Sequence, residues 1–84
     1  MRMPSEPVQF SVEQVKELNL KLSNLRHDIN NHLSLMMAAT ELIRHKPQML
    51  ERMMETLGEQ PQKISAAMQQ FSTEFESAFG IERK

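Results

Sequence analysis

The chain has 84 residues, 39% of them hydrophobic, with a net charge of −1 and no cysteine. Without cysteine there are no disulfides or thiolate metal sites, so a cytoplasmic protein of one domain is expected. Near-neutral charge removes the basic footprint of a nucleic-acid binder or a polybasic membrane segment. The longest stretch free of Asp, Glu, Lys and Arg, Ile29 to Thr40, is too short and too polar to span a bilayer.

Two glycines and no glycine-rich stretch leave nothing to cradle a nucleotide phosphate, so the chain is expected to bind no cofactor itself. Few aromatic and β-branched residues, eight Met and many Leu, Glu and Gln favour helix throughout.

Residues 1–10 carry two of the four prolines and no hydrophobic period, which predicts a disordered lead-in. Ser11 is a good N-cap with Gln14 at the third helical position to complete a capping box, and Phe10 and Val15 stand at the two positions of a hydrophobic staple. From there Val15, Leu18, Leu22, Leu25, Ile29, His32, Met36, Ala39 and Ile43 step by alternating threes and fours. This predicts helix 1 over about 11–45. His32, a polar residue on an apolar seam, needs a hydrogen-bond partner there.

Pro47 pushes the residue before it out of helical geometry and suits the first turn of a new helix, so the connection falls near 45–47. Leu50, Met54, Leu57, Pro61, Ile64, Met68, Phe71, Phe75 and Ala78 then continue the stepping, which predicts helix 2 over about 47–79. The phase survives through Pro61, so one helix kinked near 58–61 is expected, with a break into a three-helix monomer as the alternative. Gly80 and Ile81 read as a left-handed C-cap, and 80–84 as a frayed tail.

Two such helices enclose no core alone, and Leu33, Met37, Leu42, Met53 and Ala67 beside the seam need further cover. The expected fold is therefore all-α, a long antiparallel helical hairpin covering 11–79 that dimerises into a four-helix bundle.

With Leu22 at heptad position a and Leu25 at d, His27 falls at f and points away from the seam. Its face holds Ser23, Asn24, Asn30, Asn31, Ser34 and Ala38, all small or uncharged, where a solvated face normally carries Glu and Lys. Such a clearing gives a bulky partner access to the imidazole as a nucleophile. Asp28, the only aspartate in the chain, is placed to orient the ring or act on an incoming group, and Asn31, one turn on, to orient water or a phosphoryl oxygen. An exposed histidine that is merely surface is the plain alternative. Asp28 and His32 have metal-ligand spacing but no third ligand, so no metal site is assigned. His45 is expected to serve the helix C-terminus.

The string Leu25-Arg26-His27-Asp28-Ile29-Asn30-Asn31-His32-Leu33 resembles the phosphoacceptor box of the dimerisation and histidine phosphotransfer domain of two-component sensor histidine kinases. Ala39-Thr40-Glu41-Leu42-Ile43 and Gln70-Phe71 are similar to pairs and runs on its two helices, so the likeness covers Ser11 to about Phe79. The commonest box has proline where His32 stands. Arg26, His27, Asp28 and Asn31 are similar to a variant found in sporulation phosphotransferases.

The resemblance implies that His27 carries a phosphoryl group, that Asp28 assists it in the kinase-type step, and that Asn31 positions water in phosphatase-type chemistry. It implies a homodimer whose partners are a response-regulator receiver domain or a histidine kinase catalytic domain. The partner supplies any Mg2+ and ATP. The expectation is a stand-alone phosphoacceptor protein, since the Met start and charged end read as a complete small protein. A segment cut from a longer kinase, and a non-catalytic interaction module acting as decoy, connector or heterodimer partner, are the alternatives.

Overall fold

A computed structural model describes residues 2–81. Helix α1 runs Val12–His45, a single 3₁₀ turn spans Pro47–Met49, and helix α2 runs Leu50–Phe79. Among the described residues there is no strand, and no helix is long and apolar enough to cross a membrane. Residues 82–84 of the expected tail lie outside the described residues.

Local chemistry fixes each boundary. Ser11 Oγ accepts from the Gln14 backbone N–H at 3.1 Å while Gln14 Oε1 accepts from the Ser11 N–H at 2.8 Å, the reciprocal capping box. At the turn, the Lys46 N–H closes α1 on the Leu42 carbonyl at 2.7 Å. Pro47 opens the 3₁₀ turn, where its missing N–H costs nothing. Gly80 ends α2 with φ at 68°, and the Ile81 N–H returns to the Glu76 carbonyl at 2.8 Å, a Schellman closure that needs a residue able to enter the left-handed region.

Helix α2 is continuous through Pro61. The break of the three-helix alternative is thereby overturned: Pro61 withholds one N–H from the Leu57 carbonyl, at about 3 kcal/mol in a free helix, yet α2 continues through it, with Leu57 and Ile64 on either side half-buried.

The two helices run antiparallel, as Lys21 meets Glu74 at 3.9 Å and His32 meets Gln60 at 2.7 Å. Four phenylalanines link the open end of the hairpin. Ring centroids lie 6.0 Å apart for Phe71 and Phe75, 4.5 Å for Phe75 and Phe79, and 4.3 Å for Phe79 and Phe10. Phe10 thus packs on the far end of α2, and its expected staple partner Val15 stays 55% exposed.

On α1 the contact line follows the predicted seam through Leu18, Leu25, Ile29, His32, Met36, Ala39 and Ile43, all buried or half-buried, whereas the seam residues Val15 and Leu22 are exposed. On α2 it is turned from the expected one. Met53, Leu57, Gln60, Ile64, Ala67, Phe71 and Glu74 face α1, whereas Leu50, Met54, Met68 and Phe75 are exposed. The apolar arc of α2 is wider than one neighbouring helix can cover.

A compact chain of this length would have a radius of gyration of about 12 Å; this one has 18.1 Å and measures 58 × 29 × 11 Å. Ala39 is the one buried hydrophobic residue among those described. Stability therefore rests heavily on helix ends and cross-helix lines. Ser11→Ala, which removes the N-cap acceptor, is expected to cost about 1 kcal/mol and to lower the melting temperature by about 4–8 °C in a thermal melt followed by circular dichroism.

Candidate functional site: the His27 flank and the adjoining groove

His27 lies near the middle of α1 and is exposed. At 100° per residue it stands about 120–160° round the helix from Leu25, His32 and Ala39, which meet α2, so its ring projects away from the hairpin. Asn24, Asn30, Asn31 and Ser34 around it are exposed as well. Among the described residues the His27 imidazole has no hydrogen bond or ion pair, so both ring nitrogens are open to an approaching group.

Asp28 and Asn31 share the helix with His27 but not one direction. Asn31 is about 40° away and Asp28 about 100° away round the axis. The Asp28 carboxylate makes no bond to the His27 ring in this state; it lines a groove between the helices instead. That groove, of about 300 Å³, is walled by Lys21, Asn24, Leu25 and Asp28 of α1 and by Ala67, Gln70, Phe71 and Glu74 of α2. Lys21 Nζ and Glu74 Oε2, 3.9 Å apart and each a little over a third exposed, form a weak ion pair across it. Asp28 has no cation partner among the described residues, so the groove presents a free carboxylate beside the His27 flank.

Lys21 and Glu74 were not singled out by sequence reasoning. Spacing along one helix shows which residues share its face but not which residues of the other helix stand opposite. That pairing depends on the 3₁₀ turn, whose length the sequence signals only to within a residue or two.

His32 finds its partner in Gln60, the one buried polar residue among those described, at 2% exposure. Gln60 Nε2 donates to the Thr56 carbonyl at 3.1 Å, which turns Oε1 towards His32 and requires Nδ1 to carry the proton. The interior polar position on α2 is therefore Gln60, with the seam residue Pro61 exposed.

At the far end of α1, His45 Nε2 and Arg44 Nη1 both approach Glu41, at 3.2 and 3.5 Å. These are solvated pairs on the last turn, where a cation favours the helix C-terminus. Among the described residues no three His, Asp or Glu side chains gather as a metal-holding group.

Compared with the models of known protein families, with curated proteins and with solved structures, the chain matches none. The two central histidines differ sharply in what they hold together. His27→Ala is expected to leave stability within about 0.5 kcal/mol. Gln60→Ala strands the His32 N–H in the seam and is expected to cost about 1–3 kcal/mol, both read from urea unfolding.

Proposed function

We propose that this chain is a histidine phosphoacceptor and phosphotransfer protein of a two-component signalling pathway. A His27 ring nitrogen attacks phosphorus, either of the γ-phosphate of ATP held by a kinase domain or of an aspartyl phosphate on a receiver. The bond from phosphorus to the leaving ADP or carboxylate oxygen breaks as the phosphorus–nitrogen bond forms, and the ring proton passes to solvent or to a nearby carboxylate. The partner brings Mg2+ and the basic groups that stabilise the transferring phosphoryl, because the free charges near His27 are few.

The observation that carries this reading is the setting of His27: exposed, unpaired and ringed by small polar side chains on the flank turned away from α2. The phosphoacceptor-box resemblance of residues 25–33 supports it. On that resemblance Asp28 assists the kinase-type step from the groove edge, and Asn31 steers water in the hydrolytic one.

A homodimeric four-helix bundle completes the proposal. Val15, Leu22, Leu33 and Met37 on α1 and Leu50, Met54, Met68 and Phe75 on α2 are 37–69% exposed. Each set lies about 50–130° from its helix's contact line in the same rotational sense, which in antiparallel helices brings both to one flank of the hairpin. Helices this long present enough face for the roughly 800 Å² per partner of a stable interface. The groove with Asp28 lies on the opposite flank and stays open.

This unpartnered apolar flank also favours the second reading, a non-catalytic module that engages a kinase or receiver by surface alone. The two readings part at His27. Incubation with a phosphorylated receiver, or with a kinase and ATP, is expected to place an acid-labile, base-stable label on the wild type and none on His27→Ala. Label of equal yield on both proteins overturns the assignment; partner binding and cellular effect that ignore His27 would point to the surface module.

The bundle is tested separately. The melting temperature is expected to rise with protein concentration. Met68→Lys, within about 0.5 kcal/mol of neutral on a monomer surface, is expected to cost more than about 2 kcal/mol at an interface.

A further inference from the structure

Two residues that weaken a helix stand within one turn of α2, Gly58 and Pro61. Neither is required by packing. A Cβ added at Gly58 would meet nothing within 4 Å, its φ is not positive, and Pro61 is exposed. Glycine leaves the backbone its greatest freedom, and Pro61 cannot donate to the Leu57 carbonyl, so this turn has the fewest constraints of its own anywhere in α2. A sequence that breaks local helix preference with no gain in contacts marks a place where something other than stability is served.

Between them stands the one buried polar side chain among the described residues. Gln60 is 2% exposed, bonds its own helix at the Thr56 carbonyl, and accepts from His32 Nδ1 of α1 at 2.7 Å. The weak turn is thus tied to the other helix at one point. Beyond it, α2 carries Ala67, Gln70, Phe71 and Glu74, the whole α2 wall of the groove whose other wall holds Asp28.

We propose that Gly58–Pro61 is a hinge in α2, latched shut by the His32–Gln60 hydrogen bond, and that opening the latch swings the 62–79 segment and so changes the width of the groove. The hinge stands independently of the phosphoacceptor reading, since it concerns backbone and latch alone. Whatever docks beside His27 meets a groove with one fixed wall and one movable wall.

Hydrogen exchange by mass spectrometry on the full chain tests this, with four proteins: wild type, His32→Ala, Gly58→Ala/Pro61→Ala, and the triple variant. His32→Ala is expected to speed exchange across 62–79 at least about tenfold while leaving 14–30 unchanged. Gly58→Ala/Pro61→Ala is expected to slow exchange at 57–65 by about tenfold or more. In the triple variant the effect of His32→Ala on 62–79 should vanish, because a stiffened α2 has no hinge to release. An equal effect of His32→Ala in both backgrounds overturns the proposal, as does no effect in either. Should His32→Ala unfold the chain, His32→Gln, which keeps a donor for Gln60 Oε1, must restore wild-type exchange in the flexible background, and failure to do so overturns the latch. None of these readouts involves phosphoryl transfer, so a negative labelling result at His27 leaves the hinge standing, and the reverse.

Discussion

Two helices lying side by side can shield only the line along which they touch, and that geometric limit governs this molecule. Helix α1 runs Val12–His45 and α2 runs Leu50–Phe79, and each has an apolar arc broader than one neighbour can cover. The contact line takes Leu25, His32 and Ala39 on one side and Gln60, Ile64 and Phe71 on the other. Much of what remains apolar, including Leu22, Leu33, Met37, Met54, Met68 and Phe75, is left on one flank, while Leu20 and Leu35 are exposed elsewhere on α1. The groove with Asp28 occupies the other flank, and His27 stands on the outer face of α1. The candidate site and the unpartnered surface thus have one origin, the arc of each helix that its single neighbour leaves uncovered.

That arrangement gives the site its character. A side chain on the outer face is held in place by a long, continuous helix but is hindered by no neighbouring element. His27 therefore combines a fixed backbone with an approachable ring, a setting suited to chemistry whose second reactant is itself a protein. Asp28, one residue on, is carried by the helical step to the groove. In the proposed phosphotransfer the two residues address different parts of the partner, His27 the transferring group and Asp28 the surrounding surface.

Much of this was legible in the sequence, because the signals were local. The capping box at Ser11, the connection at Pro47, the left-handed close at Gly80 and the outward direction of His27 all follow from spacing within a few residues. What was illegible depended on the second helix. The stepping through Leu50, Met54, Leu57 and Pro61 is a true period, yet periodicity marks an arc without saying which edge of it a neighbour will take. The neighbour took the edge holding Gln60, where the need of His32 for a hydrogen-bond partner is met. Likewise the facing of Lys21 and Glu74 follows from register, which no pattern within either helix contains. Phe10 shows the same limit: its spacing to Val15 is that of a staple, but the aromatic chain at the end of α2 offers a better surface.

The tilted contact of Phe10 with Phe79 brings the start of α1 and the end of α2 to one pole of the rod, with their ring centroids 4.3 Å apart. The backbone is thus nearly a closed circuit. Linking its ends with a few residues and reopening it between Lys46 and Met49 would give a rearranged polypeptide with the same helices side by side. The segments that lead into Phe10 and away from Phe79 meet at that single pole, at the opposite end of the hairpin from the bend, leaving the middle of α1 unobstructed for a visitor.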